Sequence, residues 1–227
     1  IAACFYGIFA SYRFITSSFY FNVNKINWAG HKTLSIKELS LLTSSVIGQN
    51  IFQLDLKKVS QSLAKHPWIK TASASRVLPQ NIYIELEERI PFAKVKLDQV
   101  YIMDNFGVLL GPEGQNFKKL PLITGIVAKN PQPGNNVASE EVIQGLKTMH
   151  YINLLPLFDK NPIETVLIRD RSRVTFVTHN KDMKVHMQLG MAQESFKNLM
   201  LVLGSIGEDA KDLSAIDLSF KNKIVVK

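Results

Sequence analysis

Pro67 constrains this chain more than any other single residue. An apolar helix pattern ends at Leu63, and a strand pattern begins at Ile69. Proline has no N–H for a helix and biases the residue before it, His66, away from helical backbone, so the helix must stop there. A strand, a Leu78-Pro79 turn and a second strand follow without a gap. The second strand sets Ile82, Ile84 and Leu86 on one face and Tyr83, Glu85 and Glu87 on the other, the period-two pattern of a half-buried strand. Trp68, directly after the helix stop, is placed to cover the seam between helix and sheet. No catalytic constellation lies in this stretch, which reads as a docking module rather than an active site.

The same module extends upstream. Phe19, Phe21 and Val23 alternate, and Ile26 and Trp28 continue in the other phase, so a strand with a bulge near Asn24-Lys25 is expected. Ser35 and Glu38 have the spacing of a capping box, and Ile36, Leu39, Leu42 and Val46 then form a helical stripe ending at Gly48. Asp55 is the expected N-cap of a second helix with the stripe Leu56, Val59 and Leu63. The order across Phe19–Glu88 is β-α-α-β-β. Two helices covering one face of a three-stranded sheet is the economical packing for it, with the Glu85 and Glu87 face wet.

Past Pro91 the texture changes to alternating strands with a few helices. Tyr101–Met103 and Val108–Leu110 flank Asp104-Asn105-Phe106-Gly107, a hairpin whose glycine stands where positive φ is needed. Ser139 caps a helix carrying Val142, Leu146 and Met149, and Glu140 and Glu141 suit its positive end. Strands are expected at Val166–Ile168, Val174–Thr178 and Met183–Leu189, and a helix from about Gln193 to Ser205. Ala215–Phe220 and Ile224–Val226 close the chain as a hairpin or a bulged strand. The fold class is α+β in two domains, the second mostly antiparallel β with flanking helices.

Composition removes several functions. The net charge is +8, yet the basic residues are scattered from Lys57-Lys58 to Lys221 and Lys223. A nucleic-acid surface would cluster them on one element among aromatics, so no nucleic-acid partner is expected. An anionic envelope surface and an acidic protein partner both remain open. The single cysteine, Cys4, excludes an internal disulfide. His179 and His186 lack the spacing of a metal pair, and no P-loop, G-x-G-x-x-G or G-x-S-x-G occurs. Glu85, Glu87 and Glu88 read as a solvated edge. No enzyme, catalytic residue, metal or cofactor is expected.

Ile1–Ala10 is apolar and uncharged, and Arg13 interrupts any extension. A membrane span needs about 20 apolar residues. Residues 1–18 are therefore expected to be the outer end of a membrane helix whose start lies upstream, with a signal-like remnant or a core segment as the other readings. On the membrane reading, Tyr12, Phe14, Phe19 and Tyr20 would sit at the interfacial level.

A set of ordered words carries a further inference. They are Asn50-Ile51-Phe52 with Leu54-Asp55, Pro67-Trp68-Ile69, Val77-Leu78-Pro79, Ile82-x-Ile84-x-Leu86 and Glu88-Arg89-x-Pro91-x-Ala93. Tyr101-Ile102-Met103-Asp104-x-x-Gly107, Leu120-Pro121-x-Ile123-x-Gly125 and Ile216-Asp217-Leu218 continue the series. Together they resemble the FtsQ/DivIB family of bacterial cell-division proteins, from Phe19 to Val226. One departure is Leu78, where the family commonly has an aromatic residue. The resemblance implies a POTRA domain at 19–91 and a β domain at 92–227. It also implies a single-pass inner-membrane protein of the division septum, with these domains in the periplasm. Its role would be a scaffold linking early and late division proteins: the POTRA domain would meet other divisome membrane proteins, and the last strand would capture the FtsB–FtsL pair by strand addition. Carried onto this chain, the binding residues would be Ile216, Leu218, Ser219 and Phe220, with Arg171 as the assisting cation. A POTRA-bearing envelope transport or assembly protein is the alternative.

Overall fold

In this computed structural model the described residues are 2–169, 173–180, 183–206, 214–220 and 223–227. The chain divides into two units, Ile1–Arg89 and Ile90–Lys227.

The first unit opens with α1 (Ala2–Ser17), a helix with no buried residue. It is followed by β1 (Lys25–Ala29), α2 (Ile36–Leu42), α3 (Leu56–Leu63), β2 (Ile69–Val77) and β3 (Asn81–Glu88). β3 is the central strand, with β1 parallel on one side and β2 antiparallel on the other. Its inward residues Ile82, Ile84 and Leu86 are buried against Leu39, Ile51, Leu63 and Ile69. Tyr83, Glu85 and Glu87 are exposed, as the period-two reading requires. Trp68 is half-buried against this core, and its carbonyl accepts from the Arg89 N–H at 2.9 Å.

Local sequence explains the element ends. Both halves of the Ser35–Glu38 capping box form, and the Asp55 carboxylate accepts from the Lys58 N–H at 3.1 Å at the start of α3. Two expectations fail. Phe19–Phe21 is a 3-10 turn, not a strand: the Ser18 hydroxyl accepts the Tyr20 N–H, and the Asn22 N–H closes back on Phe19. Val23 is buried by exchanging hydrogen bonds with Gln49 and Gly48 instead of joining the sheet. α2 also stops at Leu42, one turn short of the apolar stripe. The Thr43 hydroxyl donates to the Leu39 carbonyl, and the chain then loops to Gly48 at φ +83°. Val46 is buried from that loop, while Ile36 and Leu42 are exposed.

The second unit contains β4 (Pro91–Lys96), β5 (Val100–Asp104), β6 (Leu109–Pro112), β7 (Leu122–Thr124), α4 (Glu140–Ile152) and β8 (Ile163–Ile168). β9 (Arg173–Thr178), β10 (Lys184–Gln188), α5 (Ala192–Ile206), β11 (Ala215–Phe220) and β12 (Lys223–Val226) complete it. One sheet runs in the order β12-β11-β10-β9-β8-β7-β4-β5-β6. Its ladders are antiparallel except β4–β7, β7–β8 and β10–β11, so the domain is a mixed sheet. The two helices supply Val142, Leu146, Met149 and Leu199 to the core, which also holds Phe176, Val185 and Ile216. The fold is α+β.

Two turns show why the motif residues stand where they do. Asp104 is buried, and its Oδ1 accepts from the N–H groups of Phe106 and Val108 at 2.9 and 2.8 Å, while Gly107 takes φ +88°. Gly125 has φ +93°, and a Cβ there would run into the Ile168 carbonyl oxygen across the β7–β8 crossing.

Candidate functional site

The closing hairpin of the large sheet holds most of the residues expected to bind a partner. β11 pairs in parallel with β10, Val185 opposite Ile216, and antiparallel with β12, Ile216 opposite Val226. It is thus an inner strand. Ile216 and Leu218 are buried in the core beneath α5. Ser219 sits in the register shift between Asp217 and Phe220, and its N–H donates to Asp217 Oδ1 at 2.8 Å. Phe220 is 51% exposed. Arg171 lies outside the described residues.

The open side belongs to β12, which among the described residues has a neighbour on one side only. Its outer backbone is legible from the ladder. Lys227 and Ala215 exchange both backbone bonds, at 3.0 and 3.1 Å. Antiparallel pairs alternate between bonded and non-bonded, so Val225 bonds inward to Asp217 while the Val226 N–H and C=O point away from β11. Val225 and Val226 are both exposed. An unpaired strand edge of this kind is a template for an incoming strand. Exposed Lys184 and Lys227 give its surroundings basic character.

Elsewhere, Glu87 and Glu88 of the first unit are engaged in structure. Lys70 bonds Glu87 at 2.7 Å and holds that carboxyl below its ordinary pKa. Glu88 receives the N–H groups of Lys32, Thr33 and Leu34 at 2.9, 2.8 and 3.0 Å. Partial burial pushes its pKa up, but the three backbone donors outweigh this, and the net shift is downward. Glu88 is therefore an anchor for the loop before α2, not a member of a solvated edge. The signal was present: Glu88 continues the inward phase of Ile82, Ile84 and Leu86. A groove of about 380 Å³ lies between α2 and α3, but its one carboxylate, Asp55, is occupied in capping α3. Among the described residues no group of three His, Cys, Asp or Glu could hold a metal ion. No helix among them is long and apolar enough to cross a membrane.

Known proteins similar to this chain cover both units. Residues 21–89 match the family described as POTRA domain, FtsQ-type. Over 99% of its length the chain is 28% identical to the cell division protein FtsQ of Syntrophotalea carbinolica, covering 78% of that protein. It is 26% identical to the FtsQ of Geotalea daltonii, covering 98% of this chain and 80% of that one. It is 28% identical to the cell division protein DivIB of Clostridium acetobutylicum, over 92% of this chain and 77% of the relative.

Proposed function

Because the chain belongs to the FtsQ/DivIB family of cell-division proteins, we propose that it is a non-enzymatic scaffold of the division machinery that holds the FtsB–FtsL pair by strand addition at β12. α1 is the outer end of a single-pass inner-membrane anchor, and both units work in the periplasm at the septum. The POTRA unit docks further membrane proteins of the divisome, and the second unit carries the strand-accepting edge.

The observation that carries this reading is the open outer side of Lys223–Val226. Main-chain bonds to Val226 would supply affinity, and exposed side chains beside them would supply specificity. Phe220, half-exposed on the neighbouring strand opposite Lys223, would contact the added strand, and Arg171 would supply a cation. Ile216 and Leu218 contribute indirectly, by fixing β11 to the core so that β12 has a firm template behind it. Amide exchange tests this. The Val226 N–H should gain protection when the periplasmic FtsB–FtsL pair is added. Protection confined to other strands, with Val226 unchanged, would place the binding surface elsewhere.

A further inference from the structure

The end of α1 is received by side-chain amides from distant parts of its own unit. Asn50 Nδ2 donates to the Ile15 carbonyl at 2.9 Å and to the Ser18 carbonyl at 3.4 Å. Gln53 Nε2 donates to the Thr16 carbonyl at 3.0 Å, and Gln80 Nε2 to the Tyr20 carbonyl at 2.8 Å. The last carbonyls of a helix have no partner within the helix, so Asn50 and Gln53 satisfy groups that α1 cannot. Asn50 is itself held, because its Oδ1 accepts the Phe52 N–H at 3.0 Å.

An aromatic collar surrounds this clamp. Phe21 meets Phe14, Tyr20 and Phe52 edge-on, with ring centroids 6.5, 5.1 and 5.2 Å away. Arg76 ties the end of β2 to the same loop, donating to the carbonyls of Ile51 and Leu54 at 2.6 and 2.7 Å. That bond and the Gln80 contact set the Leu78 turn beside Tyr20. Phe19 is 86% exposed, Phe14 64%, Tyr20 61% and Leu78 57%. These residues continue the surface of α1, whose Ala2–Ala10 stretch is apolar on every side and whose polar residues, Ser11, Arg13, Thr16 and Ser17, gather toward this end. A helix apolar all round requires an apolar surround on all sides. A partner protein would cover one side of it; lipid covers every side. Aromatic rings and one long cation at the helix end are the residue types that suit the boundary between lipid and water.

We propose that this end of the POTRA unit is seated in the interfacial layer of a phospholipid bilayer, with Asn50 and Gln53 holding the unit in one orientation on the lipid surface. The proposal rests on α1 being the membrane anchor. It adds that the domain itself touches lipid, through Phe52 and Leu78 as well as the residues next to the helix.

Nitroxide labels in full-length protein reconstituted in phospholipid nanodiscs test it. Cys4, the single cysteine of this sequence, reports on α1. Leu78→Cys in a Cys4→Ser background reports on the collar, and Lys65→Cys, exposed past the far end of α3, reports on water. The Leu78 label should resemble the Cys4 label, more accessible to oxygen than to a water-soluble nickel chelate, with the Lys65 label the reverse. A lipid-exposed Cys4 label with a Leu78 label as wet as Lys65 would overturn the seating and leave the anchor standing. A wet Cys4 label would overturn the anchor and the seating together. Asn50→Ala with Gln53→Ala, still unfolding cooperatively, should raise nickel accessibility at Leu78 at least several-fold without changing Cys4. An unchanged Leu78 label in that variant would overturn the role of the clamp.

Discussion

Ile216 is paired with Val226 across an antiparallel ladder. The strand carrying Leu218 and Phe220 is therefore internal, and the open edge of the sheet lies one strand further along the chain. Substitutions at Ile216 or Leu218 report on the core. A proline at Ser219 would report on the bulge, whose N–H is already given to Asp217. Within the closing hairpin, among the described residues, the backbone groups open to a partner are those of β12.

Glu88 accepts three backbone N–H groups of the loop before α2. Glu88→Ala removes the acceptor of three N–H groups and is expected to lower stability by about 1–3 kcal/mol in denaturant unfolding. Glu85→Ala, exposed on the other face, should change it by about 0.5 kcal/mol or less. Equal effects would show that the Glu88 contacts contribute no more than a surface residue.

Stability of this unit should fall in two steps as pH drops. Burial holds the His66 pKa below its ordinary 6.5, against the opposing pull of Glu38 and Glu88. The unfolded chain therefore binds this proton more tightly, so the contribution is present above about pH 6.5 and is lost as pH falls below it. Glu88, with its pKa below the ordinary 4.5, contributes stability above that value that is lost as pH falls further. Thermal unfolding across pH should show the upper step vanish in His66→Gln and the lower step shrink in Glu88→Gln. A wild-type curve flat between pH 7 and 5 would contradict the His66 assignment.

Gly125→Ala and Gly134→Ala separate backbone preference from collision. Both glycines have φ near +92°, but only at Gly125 would the new methyl meet a backbone carbonyl. Gly134→Ala should cost about 1–2 kcal/mol, the ordinary left-handed penalty. Gly125→Ala should exceed that clearly, because β7 and β8 must separate to accept it. Comparable unfolding midpoints would mean that the β7–β8 crossing yields easily.

Local signals carried most of the fold. The period-two run at Ile82–Leu86, the caps at Ser35, Asp55 and Ser139, and the turn at Asp104–Gly107 all act within a few residues, and each stands as read. What failed was decided at long range. Alternation at Phe19–Val23 mimics a strand, but Gln49 and Gly48 claim Val23, and Ser18 caps Phe19–Phe21, the three residues after it, as a 3-10 turn. The apolar stripe past Leu42 mimics a helix because a buried loop also needs an apolar residue, Val46. Which closing strand would be the edge could not be read from spacing, since Leu218 and Val226 have similar side chains and strand order is a property of the sheet. Asn50 and Gln53 gave no sign of their contacts with α1, because amide side chains carry no periodicity.

A pair of prolines tests the account most directly. The Val226 N–H faces away from β11, so Val226→Pro should leave the unfolding free energy within about 0.5 kcal/mol of the parent, as prolines with an outward N–H on edge strands do. The Val225 N–H faces Asp217, so Val225→Pro should destabilise the hairpin instead. Titration with the periplasmic FtsB–FtsL pair should then show Val226→Pro weakened at least about tenfold, or about 1.4 kcal/mol. A stably folded Val226→Pro variant that binds the pair with parental affinity would contradict strand addition at β12.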